Sequence, residues 1–163
     1  MSEITLITIS IVLLAIVFGT IGFFIATIFL HAKSRTFRKE FGLPNILGAW
    51  HCRWFDDEGD PTIPKVEDTL EIQKWVRNGE FSAIGHQPQF HLNYPVSGEI
   101  DPSRIVTLEY RAAKYPYETN RGVVCLVLAR DGQKMEGKWF GRRSTGNLGG
   151  GRVICTRVGG TAT

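Results

Sequence analysis

The chain has 163 residues and a net charge of only +3. Beyond an apolar N-terminal stretch about 115 residues remain, which suffices for one domain with its own core and excludes two. The small net charge conceals an asymmetry, since residues 45–120 sum to −5 and residues 121–163 to +6. The last third therefore suits an anionic ligand or lipid headgroups, or it simply sets positive strands beside negative ones.

From Ile4 to Leu30 no residue is charged. As a helix this run is roughly 40 Å long, enough to cross a bilayer core of about 30 Å once and too short to cross twice. The Met-Ser-Glu start and the length of the run differ from a cleaved signal peptide. Residues 4–31 are therefore predicted to form a single transmembrane α-helix. Lys33, Arg35, Arg38 and Lys39 follow it directly, while the other end carries only Glu3 and the amino terminus. The positive-inside rule then places the C-terminal domain in the cytoplasm. Ala15, Gly19, Gly22 and Ala26, with Thr8 ahead of them, fall on one helical face. Such small residues let helix backbones approach in lipid, so self-association is expected there, although Gly and Ala are common in membrane helices generally.

Residues 32–43 form a basic juxtamembrane connector, which can continue the helix until Pro44 interrupts it. From there period-2 alternation dominates. Strands are predicted near 48–55, 67–76, 79–87, 90–100, 104–113, 121–130, 133–142 and 151–158. Asn78-Gly79, Asp101-Pro102-Ser103 and Asp131-Gly132 are turn signals. The stretch VEDTLEIQKW is compatible with a helix, but alternating Leu70 and Ile72 and the Asn-Gly that follows make it a strand. Eight strands joined by short turns form a meander, and closure removes both exposed edges. Residues 44–159 are thus predicted to be an all-β domain, a small closed eight-stranded antiparallel barrel. Gly85, Gly98, Gly137 and Gly141 inside strands suggest the bends that close it. Such a barrel has room for a filled core or one small ligand.

Cys52, Cys125 and Cys155 are each flanked by strand-like sequence, as buried free thiols would be. A reducing compartment fits them best, with one disulfide and a leftover thiol as the alternative.

Gly48-Ala49-Trp50 opens the first strand and Arg157 sits in the last. This resembles the calycin and lipocalin pattern, in which such a tryptophan packs beneath an arginine from the end of the barrel. The wider order is more specific: an N-terminal anchor, a basic connector, LGAW-H-CRW, an acidic loop, ED-T-LEI, G-x-F-SAIG, YPVSGEI, a G-x-x-x-L-V-L strand, DG-QKMEGKW and a final R-V-I-C-T-R. Over nearly the whole chain it resembles the transmembrane β-barrel effectors of bacterial cyclic-oligonucleotide antiphage signalling, the CBASS and Panoptes-type systems. The resemblance implies a cytoplasmic minimal barrel that binds a cyclic nucleotide messenger, and oligomerisation that disrupts the inner membrane. Those effectors usually carry two membrane helices, whereas this chain has length for one.

A cyclic nucleotide offers anionic phosphates and flat bases, so its pocket needs Arg or Lys and stacking aromatics. The candidate ligand-binding residues are Trp54, His86, Tyr94, Tyr110, Arg111, Lys138, Trp139, Arg142, Arg152 and Arg157; Arg143 adjoins them. Each aromatic is also an ordinary core candidate. Alternation puts Trp50, Cys52 and Trp54 on one face of the first strand, Val106, Leu108 and Tyr110 on one face of the fifth, and Met135, Gly137 and Trp139 on one face of the seventh. Arg111 and Lys138 then point away from those aromatics unless a bulge resets the phase.

The glycine-rich stretch 144–151 lacks a Walker lysine and a following helix, so it reads as a hairpin or lid and not as a P-loop. The acidic loop Asp56–Asp60 lacks EF-hand spacing. His31, His51, His86 and His91 have no zinc-ligand spacing with the cysteines. No cofactor is expected, no nucleophile motif or carboxylate pair appears, and nothing makes a positive case for an enzyme. The expected function is that of a membrane-anchored antiviral effector, homo-oligomeric, binding a cyclic oligonucleotide and not DNA or RNA polymer. The alternatives are a tethered lipocalin-like carrier of an apolar molecule and a structural or partner-binding barrel without a ligand.

Overall fold

The computed structural model describes residues 3–115, 118–142 and 146–159; the side chains of residues 3–14, 24, 30–31, 34, 112–115 and 118–120 lie outside that description. A single helix, α1 (Glu3–Glu40), runs unbroken through the predicted connector. It ends at Gly42, whose φ is 59°. Leu43 N–H donates to the Arg38 carbonyl at 2.8 Å and Gly42 N–H to that of Lys39 at 3.3 Å. These paired bonds form a Schellman cap, in which glycine takes the left-handed position without strain, and Pro44 prevents the helix from resuming. Among the described residues no helix is long and apolar enough to cross a membrane, so they do not support the predicted span. The side chains of the first part of the uncharged run are outside the description.

The eight strands are β1 (Gly48–Trp54), β2 (Val66–Arg77), β3 (Glu80–Gln87), β4 (Leu92–Ile100), β5 (Ile105–Tyr115), β6 (Glu118–Leu128), β7 (Lys134–Arg142) and β8 (Leu148–Arg157). They form a closed antiparallel barrel in sequence order, with β1 pairing β8 so that Trp50 lies opposite Arg157. The alternation read from the sequence is the burial pattern observed: Leu70, Ile72 and Trp75 of β2 face the core, with a register shift after Ile72. Boundaries differ by up to three residues: β4 starts at Leu92 after a 3-10 turn at Pro88–Phe90, and β6 starts at Glu118 and ends at Leu128. β8 begins at Leu148, because Gly149–Gly151 pair with Trp139–Gly141 as strand. A side chain at Gly151 would collide with the Phe55 carbonyl and stand 2.8 Å from the Trp139 indole nitrogen. The glycines that resemble a loop in sequence are where two segments meet too closely for a Cβ. Residues 144–145 of that stretch lie outside the described residues.

The barrel end next to α1 is plugged. Ile46 and Trp50 are fully buried, and Trp50 Nε1–H donates to the Ile46 carbonyl at 2.9 Å. The Arg157 guanidinium lies 5.6 Å from the Trp50 ring centroid and donates to the carbonyls of Asn45 and Leu47, each at 2.6 Å. The last turn of α1 docks on the same end, with Phe37 against the core and Arg38 4.9 Å above the Trp75 ring.

The expectation of three buried free thiols is corrected, and the alternative of one disulfide with a leftover thiol is what forms. Cys52 and Cys155 face each other across the β1–β8 pair and form a disulfide, whereas Cys125 is free and exposed. Cys125 lies between inward-facing Val124 and Leu126, so its side chain is turned outward.

Candidate ligand site

At the barrel end remote from α1, four aromatic side chains from four strands converge. Trp54 ends β1, Tyr94 belongs to β4, Tyr110 to β5 and Trp139 to β7. The Trp54 ring centroid is 5.9 Å from that of Tyr110 and 6.4 Å from that of Trp139, both edge-on, and Tyr94 is 6.2 Å from Tyr110. Inward phase brings them together, and glycines make room for them. Tyr94 lies over Gly85, and a Cβ at Gly122 would stand 2.5 Å from the Tyr110 hydroxyl.

In their midst sits Asp68, 4% exposed and the only buried charged residue among those described. Trp54 Nε1–H donates to its Oδ1 at 2.8 Å, and the Tyr94 hydroxyl donates to its Oδ2. Trp139 Nε1–H is taken by the Phe55 carbonyl at 2.9 Å. Burial raises the Asp68 pKa above the usual carboxylate range, against the opposing pull of the Trp54 and Tyr94 hydrogen bonds. Burial, then the Asp68 charge, pushes the Tyr110 hydroxyl up to about 12 and raises that of Tyr94 further. The cavity here, walled by Trp54, Asp68, Tyr94, Tyr110, neighbouring aliphatic residues and the Cys52–Cys155 bridge but not by Trp139, measures about 10 Å³. That holds about one water molecule. Trp54, Tyr110 and Trp139 are half-buried and can offer ring edges to a flat group, whereas Tyr94 and Asp68 are buried among them and hold the cluster together.

Asp68 also gives stability a pH dependence of defined sign. Its folded pKa is raised, so the folded state holds the proton more tightly than the unfolded chain. Stability is then greatest below the ordinary carboxylate pKa and declines as pH rises from there to the raised value. Asp68→Asn is expected to remove this part of the slope. It is also expected to cost about 1–3 kcal/mol, because the amide keeps one acceptor oxygen and turns its NH2 toward the other of the Trp54 and Tyr94 donors. Urea unfolding at a series of pH values measures both.

The cationic candidates do not join the aromatic group. Arg111, Lys138 and Arg142 are exposed on the outer face, as alternation requires. Arg152 is paired with Glu136, with Nε–H donating to Oε1 at 2.9 Å. Arg157 belongs to the plugged end. His86 lies outside the barrel, with Nδ1 2.8 Å from Asn93 Oδ1 and Nε2 3.5 Å from Glu71. The expectation that these six share a pocket with the rings is thereby corrected, and Arg143 lies outside the described residues. Ala15, Gly19, Gly22 and Ala26 are exposed on α1, and a Cβ added at Gly19 or Gly22 meets nothing within 4 Å. Sequence reasoning missed Asp68. Its signal was an acidic residue in the same alternating phase as Leu70 and Ile72. No protein-family model matches the chain, and comparison with curated proteins and with solved structures finds no match.

Proposed function

We propose that this chain is a membrane-anchored antiviral effector whose barrel binds a cyclic oligonucleotide at its aromatic end and oligomerises to disrupt the inner membrane. The observation that carries the ligand reading is the convergence of Trp54, Tyr94, Tyr110 and Trp139 around the Asp68 carboxylate. Flat bases stack on half-buried rings such as those of Trp54, Tyr110 and Trp139, which the buried Asp68 helps to fix in place. The anchor reading rests on the uncharged run from Ile4 to Leu30, which lies wholly within α1. The basic residues at the end of α1 support a cytoplasmic barrel. The Ala15, Gly19, Gly22 and Ala26 face is the surface along which protomers would assemble in lipid. A ligand drives that assembly only by binding the assembled state more tightly than the single chain.

The size of the cavity favours a second reading, a barrel with a filled core that binds no ligand. It disfavours any ligand held inside the barrel, an apolar cargo included, because that needs a pocket on the order of 300 Å³ or more, so the nucleotide of the first reading would lie across the half-buried ring edges. Titration calorimetry of the full chain in detergent micelles with cyclic di- and trinucleotides separates the readings. On the first, one of these ligands binds with a Kd on the order of micromolar. Tyr110→Ala or Trp139→Ala then weakens it about fivefold or more, given that one stacked base is worth about 1–3 kcal/mol. The second reading expects no heat from any of them.

A further inference from the structure

The strand register aligns three arginines on the outside of the barrel. Arg111 of β5 lies opposite Arg121 of β6, which lies opposite Arg142 of β7. All three are exposed, and none makes a hydrogen bond or ion pair with a described residue. Neighbouring strands are about 5 Å apart, and like charges directly opposite one another destabilise a sheet. The row therefore gains from an anion laid across it. In the next outward row Val123 lies opposite Phe140, and at the end of the arginine row Leu148 lies opposite Arg142. Phe140 is 60% exposed and Leu148 67%. Lys138 adds a cation one row further on, between Cys125 and Arg152. Among the described residues the carboxylates on this face are Glu109, beside Val123, Glu136, which Lys134 and Arg152 already hold, and Asp57, whose Oδ2 lies 3.6 Å from the Cβ position of Gly150 next to Phe140.

We propose that this outer face of β5–β8 is a docking surface for a bilayer containing anionic lipid. The guanidinium groups meet headgroup phosphates, while Phe140, Leu148 and Val123 enter the boundary between headgroups and acyl chains. A hydrated polyanion would satisfy the arginines and leave the apolar side chains uncovered, and a purely apolar partner would do the reverse. The aromatic site plays no part in the proposal. Nor does the anchor reading, because the arginine row lies beside Tyr110, Gly122 and Gly141 at the barrel end remote from α1.

Cys125 makes the test direct, because it lies on this face and is the free thiol beside the Cys52–Cys155 pair. The full chain, labelled at Cys125 with an environment-sensitive fluorophore, is mixed with vesicles of phosphatidylcholine alone or of phosphatidylcholine with phosphatidylglycerol. The expected result is a blue-shifted, severalfold brighter emission only with phosphatidylglycerol, reversed by high salt. Arg111→Gln, Arg121→Gln and Arg142→Gln combined abolish the shift, and so does Phe140→Ser with every charge retained. Both variants alter exposed side chains, and an unchanged unfolding midpoint confirms that they fold. Equal emission in the two vesicle types overturns the proposal, as does a shift that survives the triple variant. Inorganic phosphate reproducing the shift without vesicles overturns it too, in favour of a free anion. Sedimentation with both vesicle types reports α1 anchoring separately, so failure of the anchor and failure of the face are distinct results.

Discussion

Replacing Trp50 with alanine is expected to lower the unfolding free energy by about 3–5 kcal/mol, the usual cost of deleting a fully buried large aromatic side chain. The position ties three parts of the chain together. Its ring is wholly enclosed, its N–H satisfies the Ile46 carbonyl, and Arg157 lies across it while holding the carbonyls of Asn45 and Leu47. Alanine leaves a cavity at the plugged end, and it strands a buried carbonyl without its donor. A domain of this size has about 5–15 kcal/mol in total, so the variant is close to unfolding at ambient temperature. Urea unfolding followed by far-ultraviolet circular dichroism gives the shift in midpoint. Trp54→Ala, at the half-buried opposite end, is the comparison. A loss at Trp50 no larger than that at Trp54 would mean that the plug contributes little.

The barrel was legible because its information is local. Strand alternation needs only neighbouring residues, and it gave the correct inward phase at Trp50, Cys52 and Trp54, at Val106, Leu108 and Tyr110, and at Met135 and Trp139. Turn dipeptides did the same for the hairpins. What escaped was set by pairing between distant segments. Whether Cys52 meets Cys155 depends on barrel closure and on a register across 103 residues of chain. The glycines before Arg152 are strand because Phe55 and Trp139 lie against them. The candidate site divides along the same line. The rings were found because inward phase collects them. The arginines and lysine were grouped with them by chemical type, although alternation already turned Arg111 and Lys138 outward. Asp68 does not fit the cationic chemistry of a phosphate site, yet a carboxylate in an apolar phase is the sharper anomaly in the sequence. The asymmetry of charge along the chain finds a structural expression of a different kind. It places Arg121 and Arg142 on the outside of β6 and β7, beside Arg111 of β5, and not within the barrel.

Reducing the Cys52–Cys155 bond is expected to lower stability by about 2–5 kcal/mol. The bond closes a loop of 103 residues between the first and last strands. The unfolded chain therefore loses much freedom when it is intact, and the chain-entropy model puts a loop of this length at about 4–5 kcal/mol. Both cysteines are buried in the wall of the candidate site, so the two thiols would remain packed neighbours in the reduced barrel. The paired variant Cys52→Ala and Cys155→Ala should behave like the reduced protein, with a small added packing loss. Cys125→Ser, at an exposed position, should leave the urea midpoint unchanged. Disulfides persist in oxidising compartments and are rare in a reducing cytoplasm, whereas the basic residues after α1 favour the cytoplasmic side. Thiols trapped by acid in intact cells and then counted with a polyethylene-glycol maleimide decide between these two indications. Three modified cysteines mean that the barrel works in its less stable, reduced form behind the positive end of α1. A single modified cysteine, Cys125, means that the bond forms in the cell and that the cytoplasmic placement of the barrel is wrong.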